Sequence, residues 1–391
     1  MRRRVIVTAP VSSGGLYTHL RYVFPRLLRL EPEWDLEVYA PDVVLRAVFG
    51  QSGEPWMHAR GDGSLAGRLA WEAGGLPGLL RADRDALLFA PFGPLLNTSL
   101  AARAVVKSEN LLALVPQREL EVRPAERAKL LLMRRIYIAN ARRARVLVCA
   151  SRHARARLST LSRVAEERMR VVPHGVEVPT QGRPCRTSSA EAIRAKPYVL
   201  HVGQAMPYRR TLELAEAYVD LVKRRPDVPP LIWIGSALNH HRTYERKCLD
   251  VLGPLLSSGK ALHLGQVPHD DVLALTSSAH TIVYPSVCED CPNVVLEALG
   301  VGGVLVCCDI PANRELAGDA AVFVRESTPH GIAAALEPAI SDHALRDRLK
   351  AQARVRASMF TWDRTAEGIA DALRSALDAL DQGTARPGQE R

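Results

Sequence analysis

Two carboxylates separated by seven residues, Glu289 and Glu297, stand out in the stretch Tyr284-Pro285-Ser286-Val287-Cys288-Glu289-Asp290-Cys291-Pro292-Asn293-Val294-Val295-Leu296-Glu297-Ala298. Pro292 suits the first turn of a helix. A helix N-terminus offers unpaired backbone N–H groups to an anion or to sugar hydroxyls. Carboxylates on either side of such a terminus can accept hydrogen bonds from hydroxyls flanking a phosphate. The plainer alternative is a surface acid plus an acid that solubilises the helix.

Two other stretches carry chemistry of a related kind. Ser12-Ser13-Gly14-Gly15 opens a helical pattern, and glycines there let backbone approach a ligand while the helix turns its positive end to the same place. It lacks the Gly-Lys-Ser/Thr of a Walker loop and the Gly-x-Gly-x-x-Gly of a dinucleotide site. His201-Val202-Gly203-Gln204-Ala205-Met206-Pro207-Tyr208-Arg209-Arg210 reads as a strand end, a glycine turn and then cations. An arginine fixed there can clamp phosphate and stabilise charge growing on a leaving oxygen; arginines facing solvent at a helix start are the alternative.

The elements that must position these residues alternate between short apolar runs and helical patterns. Val5–Ala9, Leu36–Ala40, Ala86–Ala90, Ala104–Val106 and Val146–Cys149 read as buried parallel strands. A Thr, Gln, Gly, Pro and Ser-rich stretch from 179 to 196 reads as a linker, after which the alternation restarts at Tyr198 and runs to Cys307. Pro25 is expected to bend or interrupt the first helix. The expected organisation is an α/β fold of two Rossmann-like domains: 1–185, then 186–358, then a helix over 359–380, and a polar tail over 381–391.

Composition narrows the class. The chain has 391 residues, 47% hydrophobic, with a formal charge of +10. Its seven cysteines are scattered, which suits a reducing compartment and not a disulfide framework. Cys288, Cys291, Cys307 and Cys308 invite a zinc reading, but neighbours such as Cys307 and Cys308 point to opposite faces of a strand. No metal site is therefore expected. The run after Met1-Arg2-Arg3-Arg4 is broken by Thr8 and Pro10, so it reads as a first strand instead of a signal peptide. A cytoplasmic protein, with or without peripheral contact at the inner membrane face, is the expectation. From Glu126 to Arg170 thirteen Arg or Lys face three acids. That surface fits a membrane or other anion, and equally plain solvation; no nucleic-acid module accompanies it.

The Glu-x7-Glu spacing, preceded by Pro-Ser and followed by Ala, resembles the signature of the large retaining glycosyltransferase group with two facing Rossmann-like domains (GT-B, family 4 type, glycosyl transferases group 1). The Gly-Gly turn near residue 14 and the segment Phe360-Thr361-Trp362 occur in the matching order. The resemblance implies that the helix over 359–380 crosses back to the first domain, and it implies a metal-independent, cofactor-free enzyme. It would move a sugar, with retention, from a nucleotide-diphosphate sugar to a hydroxyl acceptor.

The acceptor expected first is a small metabolite such as an aminocyclitol or a natural-product intermediate. A lipid-linked or cell-surface glycan is the alternative, and a non-catalytic nucleotide-sugar-binding protein is a third reading. By the resemblance Glu297 binds the ribose hydroxyls and Glu289 lies near the transferred sugar. Backbone around Asp290, Cys291, Pro292, Asn293 and Val294 surrounds that sugar, where the family usually has Gly-Phe-Gly. Gly14, Gly15, Arg209 and Arg210 meet the diphosphate. Gln204 stands where the family commonly has an arginine. Gln266 and Val267 belong to the segment that holds the nucleobase. His174, in the Val172-Pro173-His174-Gly175 loop, lies on the acceptor side with Glu109 and Asn110. The first-domain stretches where many relatives carry a histidine, Phe89–Pro94 and Lys107–Asn110, contain none.

Overall fold

A computed structural model describes residues 3–9, 14–50, 53–109, 111–116, 122–177, 185–237 and 241–384. The chain divides into two compact units. Unit 1 comprises Met1–Val115, Pro124–Gly175 and Trp362–Arg391, and unit 2 comprises Pro116–Arg123 and Val176–Thr361.

Unit 1 is built on seven parallel strands: β1 (Arg3–Thr8), β2 (Trp34–Ala40), β3 (Met57–Ala59), β4 (Leu87–Ala90), β5 (Ala104–Ser108), β6 (Val146–Cys149) and β7 (Met169–Val171). Their order is β3-β2-β1-β4-β5-β6-β7. Every neighbour is parallel, with Val5 opposite Leu36 on one side and Leu87 on the other. Near-continuous Val, Leu and Ile runs make these strands because both faces are covered by helices. Val5, Val7, Val38, Leu87, Val105 and Val148 are almost wholly buried.

The first helix, Gly14–Leu30, runs unbroken through Pro25, contrary to the expected interruption. Phe24 and Leu27 on either side of the proline are buried in the core, and this packing holds the helix together despite the hydrogen bond that proline cannot make. The last helix, Trp362–Thr384, belongs to unit 1 although it is remote in sequence. Trp362, Ala366, Ile369, Ala370, Leu373, Leu377 and Leu380 form a helical-period stripe that is buried in the unit 1 core. Trp362 stacks on Tyr22 with ring centroids 5.0 Å apart.

Unit 2 has six strands: β8 (Val199–Val202), β9 (Leu231–Ile234), β10 (Ala261–Gly265), β11 (Thr281–Tyr284), β12 (Leu305–Cys308) and β13 (Ala321–Val324), in the order β10-β9-β8-β11-β12-β13. All are parallel. The order runs one way from β8 to β10 and the other way from β11 to β13. The gap between β8 and β11 is therefore the topological switch point, where loops diverge and ligands bind in sheets of this kind.

Much of the Arg127–Arg170 charge is structural. Arg142 donates to the Ser162 carbonyl, Arg145 to Ala379, Arg157 to Leu114 and Arg168 to Ala144. Arg127, Lys129, Arg135 and Arg143 stay exposed beside exposed Leu131 and Leu132. Among the described residues no helix is long and apolar enough to cross a membrane.

Candidate functional site

Because all six strands of unit 2 are parallel, the loops after β8, β9, β10 and β11 leave from the same edge of the sheet. The two loops flanking the switch point carry the residues singled out in the sequence. After β8 the chain turns at Gly203, whose N–H donates to the Ile234 carbonyl at 2.9 Å and whose carbonyl accepts from the Trp233 indole at 2.9 Å. A short 3₁₀ turn, Pro207–Arg209, follows. Arg210 then adopts φ +52°, unusual for a non-glycine residue, before the helix Thr211–Arg224.

That kink sends the two arginines different ways. Arg210 pairs with Glu213 at 2.7 Å. Arg209 lies along Gly203, with its Nε 3.8 Å from Glu289 Oε1 and its guanidinium 5.7 Å from the Tyr208 ring centre. Burial opposes the charge on Arg209, but Tyr284 and Glu289 more than reverse this, so its pKa is raised and the cation is held in place. Gln204 is partly exposed in the same loop.

Glu289 is oriented by its own loop. Its Oε1 accepts from the Tyr284 hydroxyl at 2.5 Å and from Ser286 at 2.7 Å. The loop is tied to its partner across the switch point, since the Val287 N–H donates to the Tyr208 carbonyl at 2.9 Å. Asp290, Cys291 and Pro292 are buried, and the helix Asn293–Gly300 begins directly after them. Asn293 and Val294 occupy its first turn, and Glu297 lies one turn further along the face of Asn293. Burial alone pushes the Glu297 carboxyl up to about 7. A half-covered acid without a compensating cation is poised to accept hydrogen bonds from a ligand that supplies donors.

His201, fully buried at the end of β8, shares Nδ1 with the Val283 carbonyl at 3.1 Å, and burial lowers its pKa to about 4. It is a neutral packing group behind Arg209. At the far side, Gly265 accepts from the Gly235 N–H at 2.7 Å; Gln266 beyond it is exposed and Val267 half-buried. A cleft of about 730 Å³ beside this edge is lined by Ser236, Arg242, Thr243, Glu245 and Arg246, none of which the sequence pattern singled out.

In unit 1, Gly14 and Gly15 are the first residues of the first helix. Asn110 lies outside the described residues. Glu109, just past β5, meets His174 in the loop after β7, with His174 Nε2 3.0 Å from Glu109 Oε2. Two residues missed by the sequence reading join them. Lys107, at the buried end of β5, contacts Glu109 and lies 3.0 Å from His174 Nε2. His19 reaches the same place from the first helix and is 1% exposed. Burial, with Lys107 and His174 beside it, holds the His19 pKa well below its ordinary value. The one available signal was a histidine on the otherwise apolar face of the first helix. Among the described residues no group of cysteines comes together as metal ligands.

Comparison with known proteins adds three findings. Residues 188–356 match the family model described as glycosyl transferases group 1. O-antigen chain mannosyltransferase B of Escherichia coli is 29% identical over 170 residues, 42% of each chain. A D-inositol 3-phosphate glycosyltransferase of Corynebacterium urealyticum is 25% identical over 187 residues, 47% of this chain and 44% of that protein. The matched region thus spans less than half the length of both relatives. Among solved structures, Anabaena HepE in complex with UDP and glucose superposes with a TM-score of 0.72 at 15% identity, over 95% of this chain and all of that one. That likeness is one of fold: two Rossmann-like α/β units and a long C-terminal helix, the GT-B architecture.

Proposed function

Through residues 188–356 the chain belongs to the glycosyl transferases group 1 family, and from that premise we propose that it transfers a sugar from a nucleotide-diphosphate sugar to a hydroxyl acceptor with retention. The observation that carries the reading is the pairing of Arg209 with Glu289 across the switch point of unit 2, beside a helix N-terminus and a desolvated Glu297. In this reading Glu297 takes the ribose hydroxyls. Arg209 faces the diphosphate, with Arg210 held back by Glu213. Glu289 and the backbone of Asp290–Val294 receive the sugar, and Gln266 and Val267 flank the base. The bond from the anomeric carbon to the β-phosphate oxygen breaks, and the acceptor oxygen bonds to the same face. The acceptor proton passes to the departing phosphate, whose charge Arg209 stabilises. Within unit 1, Gly14 and Gly15 offer close backbone approach at the start of the first helix, and His174 and Glu109 serve the acceptor.

UDP is the nucleotide favoured, by likeness to HepE, which was solved with UDP and with UDP-glucose. A small phosphorylated polyol is the acceptor favoured, by likeness to the D-inositol 3-phosphate glycosyltransferases. A second reading, transfer to a growing surface glycan at a membrane, draws on the mannosyltransferase likeness and on the exposed Arg127, Lys129, Leu131, Leu132 and Arg135.

Ligand-observed NMR with UDP-, GDP- and dTDP-sugars, with EDTA and no added metal, tests the core of this. Selective binding and slow hydrolysis of one donor is the expected result. Binding without hydrolysis in the presence of candidate acceptors would point to a non-catalytic donor-binding protein. No binding to any donor would sink the proposal.

A further inference from the structure

The two sheets end in four edge strands, β3, β7, β10 and β13. Edges escape pairing with other chains by being short, charged or bulged. β3 and β7 are three residues long, and β7 carries Arg170. β10 breaks register between His263 and Gly265. β13 has none of these guards. Its residues Ala-Val-Phe-Val pair with β12 in unbroken parallel register, and among the described residues no strand lies on its other side. The Val324 carbonyl accepts from the Asp309 N–H at 3.0 Å and so points towards β12. Backbone alternation then turns the N–H and C=O of Ala321 and Phe323 outward.

A cleft of about 530 Å³ runs along this edge, and its charged lining is Arg314, Arg325, Arg348 and Asp319. Arg314 is paired with both carboxylate oxygens of Asp309, at 2.6 and 2.7 Å, and its guanidinium lies 3.8 Å from the Phe323 ring centre. Arg325 and Arg348 are exposed, and among the described residues neither forms an ion pair. Arg348 comes from the helix His343–Ala357, which packs against the helix Pro311–Ala317 that carries Arg314. Val324 is turned the other way, into the unit 2 core. The cations therefore gather on the Phe323 face of the edge.

We propose that the edge of β13 docks an extended acidic segment of another protein, which adds to the sheet as a further strand. The backbone of Ala321 and Phe323 supplies the hydrogen bonds, and guanidiniums on one face select Asp or Glu at every second position of the partner. A second copy of this chain does not fit, because two such edges would set the three arginines against their own equivalents. Four residues make an edge of roughly 13 Å, which takes a partner strand of about five residues. The surface is separate from the donor reading, since β13 ends the sheet two strands from β11 and the switch point.

The test uses the whole chain and two synthetic peptides of about nine residues, one alternating Glu with Val and one alternating Lys with Val. Fluorescence anisotropy should find the Glu peptide bound tighter by roughly tenfold or more at low salt, with the difference shrinking as salt is added. Arg325→Glu combined with Arg348→Glu should weaken the Glu peptide by about tenfold or more and strengthen the Lys peptide. Both side chains are exposed, and circular dichroism checks that the fold is kept. Labelling the six phenylalanines with ¹⁵N reads strand addition directly. The Phe323 amide, identified by its loss in Phe323→Leu, should exchange with solvent more slowly once the Glu peptide is bound. Equal binding of the two peptides, indifference to the double reversal, or an unprotected Phe323 amide at saturating Glu peptide would overturn the proposal. Displacement of the peptide by inorganic phosphate at equal concentration would overturn it in favour of a small-anion site. Dimerisation that protects Phe323 without peptide would overturn it in favour of a second copy.

Discussion

At the scale of single residues the two sheet-edge charges have opposite problems. Arg209 is half-buried but compensated by Glu289, and Arg210 is drawn off to Glu213. Arg209→Ala should therefore lower donor turnover by roughly 10²–10³-fold, the size of losing one fixed transition-state donor, while Arg210→Ala costs far less. Steady-state kinetics on the two variants decide it, and equal losses would put the phosphate elsewhere. Glu297 is uncompensated, and its folded pKa of about 7 lies above the ordinary value of 4.5. The folded state thus binds that proton more tightly than the unfolded state. The contribution to stability is full below about 4.5 and is lost as pH rises through about 7, with a total of roughly 2–3 kcal/mol after allowing for partial exposure. Glu297→Gln carries no such ionisation, so urea denaturation should find it more stable than the parent at about pH 8 and similar at about pH 5. Parallel pH profiles would show that the carboxyl is better solvated than its position indicates. Both residues stand out in sequence because each sits in a short motif, one in the loop after β8 and one on the helix after β11. His19 and Lys107 were not, because one sits in a helical repeat and the other in an apolar strand, and only the parallel order of β1, β4 and β5 with the loop after β7 gathers them.

At the scale of elements, the loop that aims Arg209 is shaped by the neighbouring strand end. Gly235, after β9, has φ +123°, and a Cβ there would lie 2.3 Å from the Gly203 carbonyl oxygen and 2.7 Å from its carbon. Those are backbone atoms and cannot swing aside. Gly235→Ala should destabilise unit 2 by roughly 3 kcal/mol or more and weaken donor binding by shifting Gly203 and Gln204. Gly50→Ala is the control: its φ is +78° with open space around it, so only about 1 kcal/mol of backbone strain is expected. Chemical denaturation of both variants separates collision from strain, and similar losses would mean that the loop after β8 yields freely. Apolar runs made most strands legible, because a parallel strand buried on both faces is nearly all Val, Leu and Ile. β3 (Met-His-Ala) was missed because it is three residues long and partly exposed, and β13 because Ala321–Val324 resembles the helical patterns around it. The interruption expected at Pro25 does not occur, because burial of its neighbours outweighs local propensity.

At the scale of the whole molecule, sequence order and structural order part company. The last helix is hundreds of positions from the first, yet its Ile369, Leu373 and Leu377 are as deeply buried in the unit 1 core as the strands themselves. Unit 2 has a separate core around Tyr218, Trp233, Val283 and Leu336. A helical stripe of small and apolar residues announces burial but not against what, so the return of the last helix required a resemblance; the stretch 179–196, read as a linker from its composition, holds a helix over Ser188–Arg194, and unit 2 already begins at Val176. Two cores imply two sources of cooperativity. Leu373→Ala removes a fully buried side chain and should cost unit 1 roughly 2–5 kcal/mol. A nucleotide bound at the switch point of unit 2 should stabilise that unit by about 2.7 kcal/mol at a hundred times its Kd. Calorimetry should then resolve transitions that move independently, one lowered by Leu373→Ala and the other raised by nucleotide, with hydrogen exchange assigning each to its strands. If both perturbations instead shift a single transition, the units unfold as one, and a ligand that stabilises unit 1 would be felt in unit 2 through shared stability.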